Sequence, residues 1–419
     1  MNFYTGWEYL LIDLANQFGL DKMTFEARIA NVQEWLKVDA ANPGFLESQA
    51  AAAETKPLYI KAVMAIRKAQ QGIPTGHLVG LDACCSGIQM MSALTGCIAG
   101  AESTGMINPN VRADAYTSAT KVMEDILGDA VNVSRKDAKQ AIMTSFYGSK
   151  QQPKAIFGED TPELAAFYQA AHTVAPGAWE LLQDLLASWR PYALLHAWKL
   201  PDGFDARVKV MKKKKARIEI DELNHATFSY EFYENEGAKS GLSNVANLTH
   251  SMDAWVLRSM HRRLNYNREV VENADQLIEM ELVKRSLGRG FVDGTLSPKV
   301  QYYIAQWERS SLADAVILPY LDEYSVSCLQ DTYLQALAVM VQGMLKHPPF
   351  ELVTVHDEFK AHANNMNQVR WMYREIMAEI ADSNVLDDLL SQIMGVPGTF
   401  NKLSFNLADQ IRKSNYALC

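Results

Sequence analysis

Apolar positions recur at helical spacing from the start of the chain. Trp7, Leu10, Leu11 and Leu14 fall on one stripe, and a second segment runs from Thr24, a residue suited to cap a helix, to Leu36. The alanine-rich stretch 46–70 extends the helical signal until Gly72, Pro74 and Gly76 end it. Leu78-Val79-Gly80-Leu81 then predicts a short strand that stops at Asp82. Helical periodicity returns over 88–98, 111–127, 161–171 and 176–196, and over 134–147, where Ser134 is a cap residue and Gly148 stands just past the end. Beyond the Pro201-Asp202-Gly203 turn the period changes to two over 206–210, 217–220 and 227–233, which predicts a hairpin or meander. A helix over 243–264 and an amphipathic one over 268–287, inside a block spanning 265–328, are followed by a helix over 329–346. A strand over 351–355 ends at His356-Asp357, and the remainder reads as mainly helical. Neither an internal repeat nor a low-complexity linker interrupts the chain.

Composition narrows this picture. With 419 residues, 48% of them hydrophobic, the chain has the core of a large globular protein. No apolar run nears the ~18 residues of a membrane span, and the first residues lack a basic region followed by an apolar one, so a cytoplasmic protein with no membrane partner is expected. The five cysteines show no CxxC spacing and read as reduced thiols. A net charge of −9 opposes a generally basic surface, although an acidic exterior can enclose a basic channel. Two local runs bear on that: Lys209 to Arg217, with lysine at 212–215, and the series Arg258, Arg262, Arg263, Arg268. Charge runs of this kind are more often solvated faces than binding sites.

The chemistry gathers at two aspartates, Asp82 and Asp357, each ending a short apolar strand. A single strand-end aspartate is usually a turn residue. Two brought together by neighbouring strands demand cations, and hard oxygen ligands suit magnesium. Over 135–147 the residues Arg135, Lys139, Met143, Phe146 and Tyr147 fall within about 120° of one helix face. Cations for a triphosphate and aromatics for a base or sugar would thus share one side, against the plainer reading of aromatics packed inward beneath exposed basic residues.

In order along the chain, Asp82-Ala83-Cys84-Cys85-Ser86-Gly87-Ile88-Gln89 with Met91-Ser92-Ala93, then Arg135-xxx-Lys139-xxxxxxx-Tyr147-Gly148, then His356-Asp357-x-Phe359, resemble motifs A, B and C of phage-type single-subunit RNA polymerases. Gly19-Leu20-Asp21-Lys22, Pro201-Asp202-Gly203-Phe204 and Asn247-xx-His250-Ser251-x-Asp253 are weaker echoes. The resemblance implies an α/β, mostly α fold: the palm and fingers of a right-hand polymerase, with a small antiparallel palm sheet carrying the metal aspartates. It divides the chain into helices and palm with motif A (1–133), fingers with motif B and a β-rich hairpin (134–242), a palm/fingers helix (243–264), an insertion (265–328) and palm with motif C (329–419).

The resemblance further implies RNA synthesis from rNTPs on a DNA template by a two-metal mechanism. Asp82, Asp357 and the Ala83 carbonyl would hold two magnesium ions, Arg135 and Lys139 the phosphates, and Tyr147 the sugar, its hydroxyl paired with His250. Gly87 stands where similar DNA polymerases place a glutamate that excludes a 2′-hydroxyl, and a glycine would leave that space empty. The hairpin region falls where the family carries one that enters DNA near the promoter, but its lysines offer little base readout. The family's Asp-xx-Gly-Arg element is absent, so a second, smaller subunit carrying it is expected, as in a split two-chain bacteriophage enzyme, with helices 7–37 as its contact and a single-stranded-DNA-binding protein as a further candidate partner. The replaced aromatic C-terminus puts an active-site role for the last residues in doubt. Rival readings are a DNA polymerase or primase, and a catalytically inactive polymerase-fold scaffold.

Overall fold

A computed structural model describes residues 1–128, 133–210, 212–234, 242–288 and 291–419. Met211, inside the lysine run, lies outside these. The described chain is mostly helical with three small antiparallel sheets.

The first helical stretch splits at Gly19, whose φ of +110° closes the helix Gly6–Phe18; Thr24 caps the next helix, Phe25–Ala41, through a bond from the Ala27 amide. Both helices bury their apolar stripes in the chain's own core: Tyr9, Leu11, Ile12, Leu14, Phe25 and Val32 are inaccessible. Their outer sides keep Val38 exposed and Trp7, Trp35 and Leu36 half-buried.

Among the described residues there are seven strands: β1 (Leu78–Asp82), β2 (Leu195–Lys199), β3 (Asp205–Lys209), β4 (Lys212–Ile220), β5 (Ala226–Glu234), β6 (Val353–Val355) and β7 (Glu358–His362). Two differ from expectation. The helix Pro176–Ala187 stops well short of 196, because Leu195 to Lys199 pair with β3. And the chain after Asp357 turns straight back as β7, whose alternating Phe359 and Ala361 are buried; five residues are too few for the periodicity to stand out.

The central sheet has the order β1-β7-β6. Its inner face, Val79, Leu81, Phe359 and Ala361, is fully buried, whereas Gly80, Asp82, Glu358 and Lys360 share the outer face with exposed Val353 and Val355. Behind the sheet the wholly buried helix Ser86–Thr95 packs against Met366–Asp382, Leu242–Leu264 and Pro176–Ala187. The block 265–328 is itself largely helical, with Arg268–Ser286 and Pro298–Ser310 as its main helices.

Candidate active site

Asp82 ends β1, and its strand partner is Glu358, the residue after Asp357. The Ala83 amide donates to the Asp357 carbonyl at 3.2 Å, so two aspartates 275 residues apart in sequence are set side by side. His356 and Asp357 form the tight turn between β6 and β7, with His356 at φ +55°, a left-handed conformation costly for a non-glycine residue and frequent where function constrains the backbone. Burial, then repulsion from Asp357 and Glu358, pushes the Asp82 carboxyl up to about 6, while Lys139 works the other way. The Glu358 carboxylate lies over Gly80, where a Cβ would come within 2.2 Å of it, and is held by Lys360 at 2.9 Å.

The helix Arg135–Ser145 starts at Ser134, whose hydroxyl accepts from the Lys136 amide. Its buried side is Ala138, Ala141, Ile142 and Ser145; Lys139 is exposed and Arg135 half-buried. Both cations sit over the ring of Tyr116, at 5.5 Å for Arg135 and 5.7 Å for Lys139. Arg135 is also paired with Asp114 at 2.6 Å, which fixes its guanidinium at the cavity wall. Phe146 does both: it is buried edge-on against Trp179 at 6.0 Å and lines the same cavity as Met143 and the two cations.

Tyr147 and His250 do meet, but by their rings, with centroids 4.9 Å apart; no hydrogen bond joins them in the described structure, contrary to the expected hydroxyl pairing. Nor is the space at Gly87 empty. A Cβ there would stand 2.8 Å from the Tyr147 hydroxyl oxygen, so the glycine admits the tyrosine to the start of the Ser86–Thr95 helix. Burial, followed by Asp253, Cys85 and Asp357, raises the Tyr147 phenol above its usual range.

Asp82, Ala83, Gly87, Arg135, Lys139, Tyr147 and Asp357 all line one cavity of about 250 Å³. Its wall also includes Cys419, contrary to the doubt over the last residues. Leu418 bridges to Ala83, the Cys419 amide donates to the Asp82 carbonyl at 3.0 Å, and the buried Gln89 side chain holds the Ala417 carbonyl at 3.0 Å.

Sequence reasoning passed over Tyr116 and Asp114, which lie in the cavity wall, and gave no role to Asp253, whose carboxyl is pushed up to about 7 by burial and by Asp357. Asp253 was within sight, three residues after His250. The arginine series divides: Arg258 and Arg262 both hold Asp202, Arg262 also holds Asp314 at 2.7 Å and Arg263 holds Glu379 at 2.6 Å, whereas Arg268 lies on a solvated face beside Glu272. Among the described residues, three ligand-type side chains within 4.8 Å of one another occur elsewhere, as Glu219, Asp221 and His225 at the exposed end of the β4–β5 ribbon.

An arrangement of carboxylates facing lysine and arginine across one small cavity suits transfer of a phosphorylated group. Residues 4–158 match the family model of DNA-dependent RNA polymerase. On that match the chain is an enzyme of the nucleotidyltransferase class, and RNA polymerase function, with a DNA template, an RNA product and nucleoside triphosphates, is supported. Polymerases of this family generally use divalent metal ions. No curated protein matches the chain. The matched segment contains Asp82, Gly87, Arg135, Lys139 and Tyr147; His250 and Asp357 lie beyond it. No described helix is long and apolar enough to cross a membrane.

Proposed function

We propose that this chain carries the palm and fingers of a bacteriophage-type RNA polymerase and adds rNTPs to an RNA 3′ end by two-metal nucleotidyl transfer. One observation carries the reading: Asp357, outside the segment that matches the family, lies beside Asp82 in the cavity that also holds Lys139 and Arg135. The donor set fits magnesium, because two carboxylates set side by side, Asp82 raised by burial and then by its neighbour's charge, are hard oxygen ligands short of a cation. Asp82, Asp357 and the Ala83 carbonyl would hold the ions, whose contribution when bound is to activate the 3′-hydroxyl and neutralise the leaving pyrophosphate.

Lys139, exposed on its helix, meets the triphosphate directly. Arg135 reaches it by sharing its guanidinium between phosphate and Asp114, five donors being enough for both. Tyr147, admitted by Gly87 and backed by the His250 ring, sets the sugar's position. Within the same proposal a second chain supplies the Asp-xx-Gly-Arg element, docking elsewhere than on the buried stripes of the first two helices.

The test is extension of an RNA primer on single-stranded and double-stranded DNA, with ribo- and deoxyribonucleotides in competition, by the purified chain and by whatever complex it forms at source. Template-dependent RNA extension that Asp357→Asn abolishes is the expected result. Preferred use of dNTPs, or extension indifferent to Asp357, would overturn it.

A further inference from the structure

A second cavity opens beside the one that holds the two aspartates. It encloses about 530 Å³, against about 250 Å³ for the first, and the two share Lys22, Arg112, Asp114 and Arg135 as a common wall. Its size is that of a ligand site. Beyond the wall it is lined by Thr117, Ser118 and Lys121, which fall within about 100° of one face of the helix Ala115–Leu127.

Charge distinguishes the two spaces. In the first, the carboxylates of Asp21, Asp82, Asp114 and Asp357 balance the cations of Lys22, Arg112, Arg135 and Lys139. In the second, Lys22, Arg112, Lys121 and Arg135 outnumber Glu102 and Asp114, within a chain whose net charge is −9. An anion therefore gains by moving from the first to the second.

Arg112 stands in the common wall and is short of partners. Asp114 is taken by Arg135 at 2.6 Å and Asp21 by Lys22; among the described residues no carboxylate side chain comes within 4.0 Å of the Arg112 guanidinium. The bonds it does make fall on one nitrogen, Nη1, which donates to the Cys84 sulfur at 3.0 Å and to the Ala113 carbonyl. Sulfur is a weak acceptor, and Nε is buried without a partner. A half-buried guanidinium with donors to spare and no carboxylate suits a phosphate, which it can hold by two parallel bonds.

We infer that the second cavity receives pyrophosphate, with Arg112 taking it from the nucleotide site and Lys121 holding its outer end. The identity of the anion rests on the polymerase reading, because nucleotide addition releases pyrophosphate beside Arg135 and Lys139; the anion site itself does not. Lys139 lines the first cavity alone and Lys121 the second alone, so the two lysines tell the positions apart.

The test is calorimetric titration of the full-length chain with inorganic pyrophosphate in EDTA, beside primer extension and its reversal by pyrophosphate in magnesium. Arg112→Gln should weaken pyrophosphate binding about tenfold, Arg112→Lys, which keeps the charge, by less, and Lys121→Gln about threefold. In turnover, Arg112→Gln should raise the pyrophosphate concentration that half-saturates the reverse reaction about tenfold, and the rNTP KM less than about threefold. Unchanged binding in Arg112→Gln would overturn the inference. So would unchanged binding in Lys121→Gln, which would confine the anion to the first cavity, or equal rises in the two constants, which would assign Arg112 to the incoming triphosphate. Should Arg112→Gln lose its melting transition, Arg112→Lys and Lys121→Gln decide. Asp357→Asn separates the two proposals: it should abolish extension while pyrophosphate still binds in EDTA. Binding through Arg112 by a chain that makes no RNA would sink the polymerase reading and leave the anion site standing.

Discussion

Two hairpins in this molecule gather carboxylates at turns with left-handed residues, and one of them sets its aspartate in the cavity that Arg135 and Lys139 line. The β6–β7 turn places Asp357 after His356; the β4–β5 ribbon turns through Asn224 and His225 and gathers Glu219 and Asp221 there. By ligand spacing alone the ribbon end is the better metal cluster. Its members, however, are exposed and mutually satisfied, with His225 2.8 Å from Glu219 and 3.2 Å from Asp221. At the other hairpin Asp82 lines the cavity, where loss of solvation and then repulsion from Asp357 and Glu358 drive it up to about 6. Charge held where it is costly, facing cations across a cavity, marks function better than a close group of acidic side chains in water.

The sharpest way to break this contrast is to neutralise each end in turn. Asp82→Asn or Asp357→Asn should lower nucleotide addition by at least ~10³-fold with folding and nucleic-acid binding intact, because positioned charge contributes several kcal/mol to such barriers. Retention of more than about a tenth of the wild-type rate in primer extension would remove the carboxylates from the chemistry.

A smaller effect tests the fit between Gly87 and Tyr147. Gly87→Ala brings a methyl to 2.8 Å from the hydroxyl oxygen and 3.2 Å from the ring carbon bearing it, so the tyrosine must shift and kcat/KM for rNTPs should fall about tenfold. Tyr147→Phe should reduce rNTP/dNTP selectivity by about 2- to 10-fold, the worth of one hydrogen bond. The double variant decides the matter. With the hydroxyl gone the clash eases, so its loss of kcat/KM should be smaller than the product of the two single losses; multiplicative losses would mean the residues do not act on one another.

Much of the candidate site was legible because its signals are local: an apolar strand running into Asp82, a capped helix opening at Ser134, an apolar strand running into Asp357. The failures were of two physical kinds. Short elements whose identity comes from tertiary pairing, β2 and β7, leave too few residues for a period to emerge. Contacts that depend on the third dimension leave no trace in one: the hydroxyl of Tyr147 filling the place of a Gly87 side chain, Tyr116 beneath two cations, Asp202 drawing Arg258 and Arg262 out of a supposed surface run.

Electrostatic strain should also be visible without turnover. In metal-free buffer the raised Asp82 carboxyl means that the native state holds a proton which the unfolded chain, near its ordinary 3.8, has already released. The stabilising contribution is therefore fully present below about pH 4 and is lost as pH rises through about 6. Asp82→Asn should melt slightly above wild type at pH 7 in EDTA, by less than the full shift implies because solvent reaches Asp82, and alike at pH 4, and magnesium should close the gap at pH 7 by raising the wild type. A variant less stable than wild type at pH 7 without metal would mean the carboxylate is satisfied by the protein itself.

The least effect is predicted for the cluster with the best ligand spacing. Glu219, Asp221 and His225 are more than half exposed, so water already solvates each charge, and exposed pairs of this kind contribute about 0–1 kcal/mol. Glu219→Gln with Asp221→Asn should leave the magnesium dependence of primer extension within about twofold of wild type and stability within about 0.5 kcal/mol. A tenfold loss of extension rate, or a shifted magnesium optimum, would make the ribbon end a working metal site and dissolve the distinction between the two hairpins. Measured beside the Asp82 and Asp357 variants in one assay, the double variant shows whether a charge's environment or the mere nearness of its neighbours decides what it does.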